Sequence, residues 1–123
     1  MMDIQTKRVF EPLGKDDGKR VLVDRIWPRG VSKEHVRADQ WLKDAAPSAG
    51  LRKWFGHDPS RWAEFKKRYQ LELSEKPEVV SQLLLIASQG RLTLLFSARD
   101  IRHNQAVALK EYLVSRPKIE SAS

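Results

Sequence analysis

Two short stretches of this chain carry the residue types that chemistry needs. One is Asp24-Arg-Ile-Trp-Pro-Arg-Gly30 and the other is Ser97-Ala-Arg-Asp-Ile-Arg-His-Asn104. Asp24, Asp100 and His103 are the candidates for acid–base work, because positioned carboxylates and imidazoles relay protons. Arg25, Arg29 and Arg99 are fork-shaped cations suited to phosphate or carboxylate groups. Trp27 and Asn104 stand beside them. A third stretch, Trp54-Phe-Gly-His-Asp-Pro59, adds Trp54, His57 and Asp58, a charged loop flanked by aromatics of the kind that lines pockets. Together these residues predict a site for a small anionic ligand, such as a nucleotide or phosphorylated metabolite. Whether the site also catalyses is left open.

Each residue has a plainer reading. Asp24 would pin strand ends together by pairing with Arg25, Arg29 or Arg99, since buried charges are normally paired. Asp100 would be a helix N-cap. Arg29 before Gly30 would be an ordinary turn residue, and His103 a solvated first-turn histidine. His57 would cap or pack against Trp54. Trp54, Trp62 and Phe65 fit a core better than a base-stacking platform, given their helical spacing. Ser97, His103 and Asp24 form a weak serine–histidine–aspartate candidate, because Phe-Ser-Ala-Arg is not a nucleophile elbow.

The elements that position these residues follow from pattern. Leu92 to Phe96 is an apolar run that stops at Ser97, and a helical pattern begins near His103 or Asn104. That is a buried strand, a polar loop and a helix. Arg20 to Trp27 reads as a second strand, apolar on both faces at Val21 to Val23 as in a covered central strand. Ile4 to Phe10 reads as a strand at or near an edge, where Lys7 and Arg8 are tolerated. Ser32 should cap a short or broken helix from Lys33, and Ala38 to Ala46 reads as a second helical segment. Ser48 should cap Leu51 to Phe55, with Gly56 closing that turn. Asp58 and Pro59 open the clearest helix, with Trp62, Phe65, Tyr69 and Leu73 on one stripe. Pro77 opens another, burying Val80, Leu83, Leu84 and Ala87 before Gly90. The last buries Ala106, Leu109 and Leu113.

This order predicts a small α/β fold with a mainly parallel sheet of about three strands covered by several helices. It is one domain over residues 1–117, with a flexible tail at 118–123. Parallel Val21 and Leu92 strands would bring their carboxyl ends, and both polar stretches, to one edge, where α/β proteins bind ligands. The N-terminus of the last helix would add an anion-binding end.

Composition narrows the field. In 123 residues there is no cysteine, which excludes thiol nucleophiles, Cys-ligated zinc, iron–sulfur clusters and disulfides. The three histidines are widely spread, with no HExxH, HxH or HxxxH pair, so no metal site is expected. No Gly-rich phosphate loop occurs, and no particular cofactor is indicated. The longest apolar runs are five or six residues, too short for a membrane span, and the N-terminus lacks a signal-peptide core. We expect a cytoplasmic protein without membrane partners. Lys and Arg number 23 against 16 acids, a net charge of +7, which favours anionic partners.

The motifs Val21-Leu-Val-Asp-Arg-Ile-Trp-Pro-Arg-Gly30, Trp41-Leu-Lys-Asp-Ala-Ala-Pro-Ser48, Leu51-Arg-Lys-Trp-Phe-Gly-His-Asp-Pro59 and Leu94-Leu-Phe-Ser-Ala-Arg-Asp100 with His103-Asn104 resemble the YeaO-like family. That family lies within the grouping called domain of unknown function 488. The resemblance spans about Ile4 to Leu113. It implies a small α/β domain and the positions of a site, with no established activity. Other branches of the grouping carry a cysteine, and a Cys-His-Arg sequence, after the last strand. Ser97 and its neighbours here rule out carrying over thiol chemistry.

Two other functions compete with the small-ligand reading. A nucleic-acid-binding module would use the positive charge and Arg61, Lys66, Lys67 and Arg68, although no recognised reading motif is present. An interaction protein would use the tryptophan-rich middle helices, although burial accounts for the four tryptophans equally well. Oligomeric state is not legible in the sequence.

Overall fold

A computed structural model describes residues 3–116. The expected tail at 118–123 lies outside the described residues. Within them, four strands form one parallel sheet: β1 (Ile4–Arg8), β2 (Lys19–Leu22), β3 (Gln40–Trp41) and β4 (Leu92–Phe96), in the order β1-β4-β2-β3. β4 is the middle strand and is buried at every position, as an apolar run covered on both faces must be. It pairs with β2 from Lys19↔Leu92 to Leu22↔Leu95 and with β1 from Ile4↔Leu92 to Arg8↔Phe96.

Among the described residues, five α-helices cover the sheet: α1 (Lys33–Val36), α2 (Ala49–Phe55), α3 (Trp62–Ser74), α4 (Pro77–Gln89) and α5 (Gln105–Ser115). Because successive strand residues point to opposite faces, β2 and β4 divide their side chains between two cores. Val21, Leu92, Leu94 and Phe96 join α2 to α5 in the larger core. Leu22 and Leu95 point the other way and meet Val9, Val36, Trp27 and Trp41.

The expected caps form. Ser32 accepts from the His35 amide, and Ser48 from the Leu51 amide. Gly56 ends α2 at φ 55°, a left-handed turn that glycine adopts without steric cost. Gly18, at φ 64°, passes so close to the Arg91 carbonyl that a β-carbon there would overlap it.

Three sequence expectations change. Ala38 to Ala46 is not helical: Gln40 and Trp41 pair with Val21 and Leu22 as β3, and a 3-10 turn follows at Lys43–Ala45. The β2 edge left open by β4 recruits these residues, a long-range pairing that local periodicity does not encode. The second strand ends at Leu22 and not Trp27. Val23 still donates to Leu95 O, but β4 itself ends at Phe96, so the chain beyond has no ladder partner. Finally, Asp58 and Pro59 open a 3-10 turn, Pro59–Arg61, and α3 proper begins at Trp62.

Candidate functional site: a polar cleft at the strand ends

Because β2 and β4 are parallel, the segments that leave them emerge on the same side, and they touch. Ser97 Oγ donates to Asp24 Oδ2 at 2.5 Å, and Gln105 Nε2 donates to Asp24 Oδ1. Between the two segments lies a cleft of about 880 Å³. Asp24, Arg25, Trp27, Arg29, His57, Arg99, Asp100, His103 and Asn104 all line it. Trp54 and Asp58 do not. Trp54 packs on the core, with the guanidinium carbons of Arg68 and Arg61 at 4.2 Å and 5.3 Å from its ring centroid. Asp58 accepts from the Ser60 hydroxyl and amide, which hold its carboxyl below the ordinary range.

The cleft has a buried floor and an exposed rim. Asp24 is 7% exposed and Asn104 2%, with Phe55, Phe65, Ala46 and Pro47 also buried. Arg25, Arg29, Arg52, Lys53, His57 and Arg99 are exposed around it. The loop from β4 is clamped from β1, because Arg8 donates to the carbonyls of Ala98 and Ser97 at 2.9 and 3.2 Å. On the other side Trp41 Nε1 donates to the Asp24 carbonyl at 2.7 Å, and Trp27 Nε1 donates to Val31 O. The two indoles meet edge to face at 5.3 Å. Gly56 and His57 both take left-handed φ, 55° and 58°. For a non-glycine such as His57 this conformation is uncommon and costs about 1–2 kcal/mol.

Asp24 does not pair with Arg25, Arg29 or Arg99 as the plainer reading had it. Its partners are neutral, so burial dominates and raises its pKa above the ordinary 3.8, against the pull of Ser97, Gln105 and the Arg52 charge. Native protein therefore keeps a proton on Asp24 over an interval in which the unfolded chain has lost it. The group's contribution to stability is full below 3.8 and falls as pH rises through the folded value. Asp24→Asn carries no buried charge, so it should melt higher than the parent protein near neutral pH, with the gain shrinking toward about pH 4. Equal melting-temperature differences at both pH values, measured by circular dichroism, would show that Asp24 is not strained by burial.

Asp100 is not the N-cap of α5. Asn104 is: its Oδ1 accepts from the Val107 amide at 3.0 Å, while its Nδ2 donates to Asp100 O. Asp100 instead accepts from the amides of Arg102 and His103 and pairs with His103 Nδ1 at 2.9 Å. Hydrogen bonds from Arg102 N and His103 hold its carboxyl below the usual value. A ring nitrogen tied to a carboxylate leaves Nε2 to exchange protons or meet a ligand. Trp62 braces the His103 ring edge to face at 5.3 Å. The Ser97 hydroxyl is directed at Asp24, and His103 at Asp100, so Ser97, His103 and Asp24 do not form a nucleophile relay.

Arg52, Lys53 and Gln105 are not among the sequence-derived site residues, although all line the cleft, and Ser97, which also lines it, enters the sequence reading only through the weak serine–histidine–aspartate candidate. Gln105 follows the capping residue of a helix whose N-terminus points to the strand edge, and that signal was available. Arg52 and Lys53 look like any solvated helix face until α2 is placed. Among the described residues, no group of three or more His, Asp or Glu side chains could hold a metal ion, and no helix is long and apolar enough to cross a membrane.

Parallel strands opening onto a polar, cation-rimmed cleft define a small α/β domain with a candidate site at its strand ends. Comparison with known proteins adds lineage: the family described as "Inactive DUF488-N3 subclade" matches residues 3–122, and the chain belongs to it. The chain is 41% identical over 114 residues to the uncharacterized protein YeaO of Escherichia coli (strain K12), covering 93% of this chain and 99% of that one. It is 39% identical over 113 residues to the uncharacterized proteins Rv3073c of Mycobacterium tuberculosis and Mb3100c of Mycobacterium bovis, covering 92% of this chain and 95% of each. No solved structure matches. The resemblance read from the motifs is thus correct at the level of the family.

Proposed function

We propose that this protein binds a small anionic ligand, such as a nucleotide or phosphorylated metabolite, in the strand-end cleft. The observation that carries this reading is the charge of the lining: five cations, Arg25, Arg29, Arg52, Lys53 and Arg99, against the carboxylates of Asp24 and Asp100. Burial raises the Asp24 pKa and so disfavours its charged form. The first turn of α5 faces the same space through Gln105, and unpaired amides at a helix start favour anions. A volume near 880 Å³ suits a metabolite-sized molecule. The family description "Inactive" favours binding over turnover. Should turnover occur, Asp24, or Asp100 with His103, is placed for proton transfer, and the arginines for charge stabilisation.

The nucleic-acid alternative draws on Arg61, Lys66, Lys67 and Arg68. Three of these cations already face acids: Arg61 with Asp58 at 3.7 Å, Lys66 with Glu111 at 3.1 Å and Arg68 with Glu64 at 3.0 Å. Such pairing lowers the net field that a phosphate backbone would feel. Thermal melts at low ionic strength separate the readings. Pyrophosphate or adenosine diphosphate at about 100 times its Kd should stabilise the native state by about 2.7 kcal/mol, a rise of several degrees. No rise with either compound, together with a salt-sensitive rise on adding duplex DNA, would overturn the small-ligand reading.

A further inference from the structure

We propose that the ligand class is a phosphorylated sugar, held with its phosphate at the cationic rim and its hydroxyls on the floor formed by Asp24, Ser97 and Gln105. This rests on the reading of the cleft as an anion site and adds its orientation and chemical class.

The division between floor and rim carries the inference. Every cation of the lining other than histidine is exposed, whereas Asp24 is 7% exposed at the bottom. A phosphate placed on the floor would sit against a carboxylate and away from the arginines. A cationic group that reached the floor would first have to pass the five rim cations. What suits the floor is neutral and hydrogen-bonding. The Asp24 carboxyl accepts from Ser97, through hydroxyl and amide, and from Gln105, and two oxygens with about four lone-pair sites keep capacity for a further donor. The Ser97 hydroxyl and the Gln105 amide can each accept as well as donate. Hydroxyl groups, which also do both, match this arrangement. An apolar ring pressed on the same surface would leave those acceptors dry and unpaired. Phe55 and Phe65 border the cleft and provide an apolar wall for the carbon skeleton of a sugar. The Asp100–His103 pair adds a further polar group on the lining.

Calorimetric titration of the full chain with ribose 5-phosphate and with inorganic phosphate, near neutral pH and at low ionic strength, tests the proposal. Ribose 5-phosphate should bind at least about tenfold more tightly than phosphate, because only it engages the floor. Asp24→Asn and Ser97→Ala should each pull that ratio toward one, with folding of both variants verified by thermal melting. The ratio is the readout because a general loss of packing would weaken both ligands alike. If Asp24→Asn does not fold, Ser97→Ala alone decides. Equal affinities in the parent protein, or an unchanged ratio in the variants, would overturn this inference and leave the anion site standing. Failure of the parent protein to bind either compound would overturn this inference, and the anion site would still stand if pyrophosphate or adenosine diphosphate raises the melting point.

Discussion

Arg20→Ala is expected to lower the free energy of unfolding by about 3–5 kcal/mol, the cost of removing one partner from a buried ion pair. Arg20 is 2% exposed and Asp17 4%. The guanidinium donates to the Asp17 carboxylate, to Val36 O at 2.6 Å and to Arg37 O at 3.1 Å. Asp17 also accepts from the Gly14 amide at 3.0 Å, and from Gln5 and Lys7 at 3.2 Å each. One cluster therefore ties β1, the loop before β2, β2 itself and the end of α1. Without Arg20, the Asp17 charge stays buried with less compensation, and two carbonyls lose their donor. Lysine should not rescue the variant, because a single ammonium cannot reproduce the fork. Burial pushes the Asp17 carboxyl up, but the hydrogen bonds from Gly14, Lys7 and Arg20 outweigh it and hold its pKa below 3.8. Its contribution to stability is therefore present above 3.8 and is lost as pH falls through the folded value. Urea denaturation near neutral pH measures the cost. A loss below about 1 kcal/mol would mean that the cluster is no stronger than a surface pair.

Phe65→Ala should cost a comparable amount, about 3–5 kcal/mol, through lost burial and the cavity left behind. Phe65 is 1% exposed and stacks on Phe55 with centroids 4.4 Å apart. Trp62 and Tyr69 lie at 5.7 Å on either side along α3. The stack welds α2 to α3 and borders the cleft. The alanine variant should therefore lose affinity for the proposed anionic ligand as well as stability, since the wall carrying Arg52 and Lys53 would be less firmly held. Phe65→Leu refills most of the space and should cost less than about 1.5 kcal/mol. Denaturation curves for the pair decide between packing and a merely local contact. Equal losses in both variants would contradict the cavity argument.

Elements with a strong local signature were legible in the sequence. β4 is a five-residue apolar run and α3 a regular stripe, and Ser32, Ser48 and Gly56 announce their caps. The meeting of the segments that begin at Asp24 and Ser97 followed from parallel pairing, because parallel neighbours end on the same edge. β3 was read as helix because two residues carry too little periodicity to declare a strand. Asp100 was weighed as the cap of α5 because aspartate and asparagine are nearly equal in that role. Only the loop's path decides which one reaches the Val107 amide.

What the amino-acid order determined by itself is β1, β2, β4 and the five helices, the family, and the edge of the sheet at which polar residues gather. Tertiary structure alone decided that Asp24 is held by Ser97 and Gln105 and not by an arginine. It alone brought Arg52 and Lys53 to the rim and placed Trp54 and Asp58 outside the lining. The division has one physical cause. Helix caps and apolar periodicity act between residues a few positions apart, so they are written locally. The partners of a buried carboxylate are settled by contacts across some 73 and 81 positions of chain, and these exist only once the sheet has formed.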